Sequence, residues 1–428
     1  MKKHLLALSA AAVLLAPQTV GAEGFSINEW SAEGFAMGGA RMFAENDAAN
    51  MAYNPASLTK IKGEVAKISA TYISPHGKYK TEGPTVPGVG SNPAHVETGH
   101  NRVHPAWAPG MYYVKQMNDK EWLGFGSYAR FGNSCQFRPG SLPGMNNTSS
   151  KLNGMSVGVN YAKKLDSKWS ASLGAEVNYA WLQVDRTMPF GMGYPAKVQV
   201  EGESYALGWN AAANYAFDDK NEMGIVYRSA VNHSMEANVR DFGYMAALGH
   251  GGMTDAYGCV TLPESVMIGY GHKFNDKTRV ELNGTWTRWS RFDALDMSYS
   301  GPGGAFEHPD AKNWKDGWRY AIGIEHKLSD KYSLLGGIAY DESGIPDYYG
   351  PGTDTDGADF MVPTGTRTTF TVGTQYHDEK QTLALAIGYM KVGDLNIEGG
   401  LGNSVFYDRA KMYDSYTKLF SISYQYNF

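Results

Sequence analysis

Cysteine is scarce: Cys135 and Cys259 are the two in 428 residues. That excludes a disulfide framework. Charge is sparse at 19%, and Asp plus Glu (43) outnumber Lys plus Arg (38), so the electropositive footprint of a nucleic-acid binder is missing. After the first 22 residues no window holds about 18 uninterrupted apolar residues, which excludes spanning helices. HExxH and paired-carboxylate motifs are absent. Glycine (51), tyrosine (28) and tryptophan (10) are abundant, and 13% aromatic content excludes intrinsic disorder. Aromatic richness with a mean hydropathy of -0.39 fits a wall that is apolar on one face only.

Met1-Lys2-Lys3, an apolar stretch over residues 5–16 and Val20-Gly21-Ala22 form an export signal. Cleavage is expected after Ala22. In an oxidising compartment Cys135 and Cys259 could pair or stay free.

Beyond residue 62 the chain alternates. Phe420, Ile422, Tyr424, Tyr426 and Phe428 interleave with Ser421, Ser423, Gln425 and Asn427. Leu383, Leu385, Ile387 and Tyr389, and Trp169, Leu173, Val177 and Tyr179, follow the same rule. Period two gives each strand an apolar and a polar face. Six short polar turns (near 118, 166, 218, 275, 329 and 378) alternate with seven Gly/Pro-rich stretches (75–106, 138–150, 188–197, 238–258, 300–312, 342–364, 394–408). This predicts an all-β, fourteen-stranded antiparallel transmembrane barrel over residues 63–428, with short turns and both chain ends on the periplasmic side. A large soluble sandwich or propeller is the alternative, but no blade repeat is present.

Residues 23–62 do not alternate. Phe25, Trp30, Phe35, Phe43 and Tyr53 argue against a disordered tail. A fourteen-stranded lumen is too wide for wall side chains to fill, so a plug is expected there.

At these residues the chain resembles the FadL family of outer-membrane transporters for long-chain fatty acids and other hydrophobic compounds. The resemblance is carried by Gly24-Phe25-x-x-Asn28-Glu29, Asn54-Pro55-Ala56, Gly208-Trp209-Asn210-Ala211, Val226-Tyr227-Arg228-Ser229, Leu262-Pro263-Glu264, Thr287-Arg288-Trp289-Ser290 and Trp314-Lys315-Asp316-Gly317-Trp318-Arg319, in family order. It implies a monomeric barrel in the outer membrane, bedded in lipid and lipopolysaccharide, with an N-terminal hatch. It also implies energy-independent uptake and lateral exit through a kink in the third strand. The kink should fall near Phe131-Gly132-Asn133 and be contacted by Asn54, Pro55 and Ala56. Glycine suits a bent or bulged strand.

A cargo carboxylate needs a cation or strong donors once it leaves water. Parity from Trp169 to Trp181 points Arg186 inward, and parity from Tyr320 to Ile324 points Lys315 and Arg319 inward. Arg186 and Lys315 resemble the family's head-group positions. The plain alternative is that they line a polar lumen. Phe25 of the hatch and Phe242 and Leu248 of an outer loop are candidate apolar contacts. The connection from Met188 to Lys197 looks short beside the family's fatty-acid members, which puts an outer landing groove in question. His95, His100 and His104 read as solvated loop residues, so no metal or cofactor is expected, and no enzyme activity. The competing cargo is a small aromatic hydrocarbon. A general diffusion porin, with an open lumen, is the competing architecture.

Overall fold

The computed structural model describes residues 24–82, 96–188, 196–247, 249–308, 312–345, 358–400 and 404–428. The expected export signal, Leu248 and the 189–195 stretch of the connection after Met188 lie outside them. Among the described residues there are fourteen antiparallel strands: β1 (Glu64–Glu82), β2 (Val96–His100 and Ala106–Asn118), β3 (Glu121–Gln136), β4 (Ser149–Lys164), β5 (Trp169–Met188), β6 (Ala196–Ala216), β7 (Asn221–Arg228 and Val231–Phe242), β8 (Asp255–Leu262 and Ser265–Lys273), β9 (Thr278–Thr287 and Met297–Gly301), β10 (Gly304–His308 and Gly317–Lys327), β11 (Tyr332–Asp341), β12 (Arg367–His377), β13 (Gln381–Val392 and Leu395–Gly400) and β14 (Ser404–Asn427). Each pairs with the next, and β14 closes on β1 from Val65 opposite Asn427 to Glu82 opposite Arg409. Closure leaves neither β1 nor β14 with an open edge, the condition for a sheet to cross lipid.

The outer face is apolar as the alternation requires. Leu173, Ile322, Leu334, Val372, Leu385 and Ile422 are exposed, while Asn178, Glu281 and Ser423 on the opposite face are buried. Trp209, Tyr227, Trp318 and Tyr320 add outward-facing aromatic rings.

The short turns share one device. Asp166 Oδ1 accepts from the amides of Lys168 and Trp169 at 2.7 and 2.8 Å. Asp218, Asn275 and Asp378 repeat it. These amide bonds hold the Asp166 carboxyl below its ordinary value. On the opposite side the sequence reading overstates the loops. The 300–312 stretch includes two hairpin arms paired from Met297–His308 to Gly301–Gly304. The 75–106 and 394–408 stretches likewise extend strands, since β1 pairs with Val96–His100 and β13 with β14 well past the apolar band. Glycine-rich composition disguised these arms as loop.

Residues 24–62 lie inside the ring. They form α1 (Ala32–Ala36), α2 (Asn50–Tyr53) and a 3-10 turn, Pro55–Lys60. Ser31 caps α1, its Oγ accepting from the Gly34 amide at 3.1 Å. Small wall residues let this segment approach: a Cβ on Gly337 would stand 2.2 Å from the Met37 carbonyl carbon. Buried ion pairs hold it. Lys67 of β1 bridges Glu33 (2.9 Å) and Asp47 (2.6 Å). Arg41 bridges Asp47 (3.0 Å) and Glu325 of β10 (3.2 Å). Glu281 of β9 accepts from the Met42 and Phe43 amides, and Arg319 pairs with Asp341 while donating to the Gly38 carbonyl. Charges removed from water need partners of this kind.

Candidate ligand path

β3 leaves the wall. Its pairing with β2 runs from Asn118–Glu121 to Gly110–Tyr128 and stops. Its pairing with β4 continues to Gln136–Ser149, with Arg130 inserted as an extra residue between Ala129 and Phe131. From Gly126 to Cys135 every residue is buried, so the alternation is lost. The freed edge meets the N-terminal segment: Ile27 N–H donates to Arg130 O (2.9 Å) and Gly132 N–H to Phe25 O (2.8 Å). Trp30 Nε1 donates to Ala129 O at 2.7 Å. The outer end of the break is closed by Arg102 N–H to Gln136 O at 2.7 Å. Between these limits β2 and β3 share a seam without ladder bonds.

The bulge thus lies at the edge of the expected Phe131-Gly132-Asn133. The expected contact to it does not hold. Asn54 Nδ2 instead donates to Asn214 of β6 at 2.7 Å, and Asn54 Oδ1 caps the turn through the Ala56 amide. Ala56 O accepts from Ser170 of β5, and Pro55 opens the turn, where its missing N–H costs nothing. Residues 25–27, with the Trp30 indole on Ala129, are what touch the bulge.

Inside the seam is an aromatic box. Phe25 packs on Trp289 (4.9 Å between centroids), Phe292 (5.2 Å), Trp314 (5.7 Å) and Phe131 (6.0 Å). The Trp289 and Trp314 indole N–H groups have no hydrogen-bond partner among the described residues. The apolar cluster continues outward through Tyr79, Phe137, Met235 and Phe360. Trp289 and Phe292 reach it because β9 is interrupted between Thr287 and Met297.

Two buried guanidiniums sit beside the box. Arg130 pairs with Glu176 of β5. Arg228 of β7 donates to Tyr128 OH at 2.7 Å and to the Ala52 and Met51 carbonyls. Sequence reasoning missed this trio. The outward parity of Ile225 and Tyr227 was the available signal for Arg228, whereas the bulge removed any parity signal for Arg130.

Arg186 keeps unbroken register with Val198 and lines an outer, mostly apolar cavity of about 60 Å³ with Leu182, Val184, Val200, Tyr244 and Met245. Lys315 does not join it. It precedes the Gly317–Lys327 strand, is exposed, and bonds through its amide to Gly344 O at 2.7 Å, so the parity argument failed there. Phe242 is 65% exposed; its neighbours Tyr244 and Met245 face the cavity instead. Cys135 is buried, Cys259 is exposed, and both are free thiols. Residues 154–158 have Gly-x-Ser-x-Gly spacing, but they lie mid-strand rather than at the strand-to-helix elbow that hydrolases use.

A sequence profile described as "Outer membrane protein transport protein (OMPP1/FadL/TodX)" matches residues 12–428. The long-chain fatty acid transport protein of Escherichia coli (strain K12) is 24% identical over 436 residues, covering 92% of this chain and 93% of that one. The crystal structure of a Pseudomonas aeruginosa FadL homologue superposes with a TM-score of 0.79 at 18% identity, covering 95% of this chain and all of that one. The Pseudomonas putida toluene transporter TodX gives 0.67 at 16% identity, covering 95% and 99%.

Proposed function

The chain belongs to the OMPP1/FadL/TodX family of outer-membrane transport proteins, whose members are transporters of hydrophobic compounds and not enzymes, and from that premise we propose that it carries long-chain fatty acids inward by passive, lateral diffusion as a monomer. The supporting observation is the seam between β2 and β3, which opens beside an apolar interior that residues 24–62 obstruct. Burial favours an alkyl chain by about 0.8 kcal/mol per CH2, so a C16 chain gains on the order of ten kcal/mol. Holding it that tightly would block release. A hatch that shifts can loosen the pocket, and a side exit hands the chain to lipid without a passage through water.

The family relative that transports long-chain fatty acids and the cationic Arg186 in an apolar outer cavity both support an anionic amphiphile. Arg186 would hold its carboxylate on entry, with Tyr244 and Met245 as apolar floor. The aromatic box around Phe25 supports the second reading, a small aromatic hydrocarbon like that of the toluene transporter. Mass spectrometry of lipids carried by protein extracted from native membranes decides between them. Saturated acyl anions absent from refolded protein would support the first reading; an exclusively neutral aromatic content would replace it with the second.

A further inference from the structure

We propose that Arg130 and Arg228 form a second anion-holding point at the root of the β3 bulge, where the carboxylate of a departing amphiphile rests as its chain enters the seam. The proposal rests on the fatty-acid reading above and adds a position that the entry site at Arg186 does not supply.

The charge count comes first. Arg130 and Arg228 are 4% and 5% exposed. Among the described residues Glu176 is the one carboxylate that pairs with either; it pairs with Arg130 and also accepts from Tyr128 OH at 3.4 Å, so it reaches Arg228 only through that phenol. Among the described residues no carboxylate pairs with Arg228; its partners are a phenol and two carbonyls. The guanidinium lies 5.7 Å from the Trp30 ring centroid and 5.6 Å from that of Tyr128, which compensates part of the desolvation. Neutral oxygens and ring faces do not replace a counter-ion in a buried setting, so an arriving anion gains there.

Geometry comes second. Arg130 and Arg228 line the same cavity of about 30 Å³, with Ser26, Ile27, Asn28 and Phe131. That is space for about two water-sized groups, enough for a carboxyl but not for a chain. Arg130 is the inserted residue of the bulge, and its carbonyl accepts from Ile27. A carboxylate in this cavity therefore meets the strand that makes the seam and the segment that covers it. It would compete with Glu176 for Arg130 and give Arg228 the anion it lacks. No bond is made or broken.

Palmitate and methyl palmitate binding to the detergent-solubilised full-length protein, followed by tryptophan fluorescence, tests this. Arg228→Met should weaken palmitate by on the order of tenfold while leaving the ester unchanged, and Arg228→Lys should recover most of the loss. Glu176→Gln should tighten palmitate by freeing Arg130, and this arm stands even where Arg228→Met fails to fold. Equal loss of acid and ester in Arg228→Met, or palmitate binding that is unchanged or weaker in Glu176→Gln, overturns the proposal. A wild-type protein that binds the ester but not the acid sinks the fatty-acid reading itself. A wild type that prefers the acid with both variants unaffected sinks this position alone.

Discussion

The Gly132 amide donates to the Phe25 carbonyl at 2.8 Å, so the strand that abandons β2 above Tyr128 recovers its missing edge from the N-terminal segment. Backbone polar groups inside a membrane protein require partners. The break in the wall is therefore tolerable only while residues 25–27 stand against it. Gap and cover form one hydrogen-bonded unit.

Gly132 is buried against that contact. Gly132→Leu should force the bulge to repack and abolish fatty-acid uptake, while heat-modifiable mobility on gels shows an intact barrel. Uptake at the wild-type rate would remove lateral exit.

Phe25→Ala empties the aromatic box. Such truncations typically cost about 3–5 kcal/mol, here charged mainly to the seating of the N-terminal segment. Ion conductance through the protein in planar bilayers should rise, and residues 24–30 should become protease-sensitive. A conductance identical to wild type would show that Phe25 does not anchor the segment.

Lys67→Met leaves Glu33 and Asp47 buried with one cation fewer. Removing one partner of a buried pair costs about 3–5 kcal/mol. The expected result is an unseated segment inside a folded barrel, read as a larger, noisier conductance; Lys67→Arg should behave nearly as wild type. Quiet channels in Lys67→Met would count against the ionic clasp.

Arg186→Ala should weaken fatty-acid binding and spare toluene. Parallel loss of both ligands would assign Arg186 to packing rather than to the carboxylate.

Asp359, in the outer loop before β12, pairs with Lys312 at 2.7 Å. Burial alone would raise its carboxyl, but Lys312 and the amides of Met361 and Val362 outweigh burial and hold it below its ordinary value. A depressed carboxylate stabilises fully above the unfolded value of about 3.9 and loses that contribution as pH falls through the lower folded value. Protease resistance of residues 358–366 should be flat from pH 7 to about 4 and fall below it. Asp359→Asn should be weaker from pH 7 to about 4, converge with wild type in acid and lose the acid dependence; an unaltered acid profile would remove Asp359 as the cause.

The strands were legible because one face of each meets lipid, and period two survives any detail of loop or lumen. Phe420 to Phe428 needed no other information. The turns at Asp166, Asp218 and Asp378 were legible for an equally local reason. The family resemblance, with Gly132 as its local sign, put the kink near Phe131-Gly132-Asn133; the inserted residue is Arg130, one position earlier. What failed was non-local. Asn54 could bond to any inward asparagine, and only the folded ring shows that it meets Asn214. Lys315 looked inward because parity was extended past the start of the Gly317–Lys327 strand, where the chain no longer obeys it. Arg130, Arg228 and Glu176 lie on three different strands, and no spacing in the chain announces their meeting.

The interior segment bonds to both members of the closing pair. Lys67 of β1 holds Glu33 and Asp47, while Ser423 and Gln425 of β14 accept from the Ala32 and Ala48 amides. Its docking surface is thus incomplete until the last strand has met the first. A half-assembled cylinder offers the leading peptide only part of its seat, so an unfinished wall stays unstoppered, and a finished one can be recognised by its occupied bore.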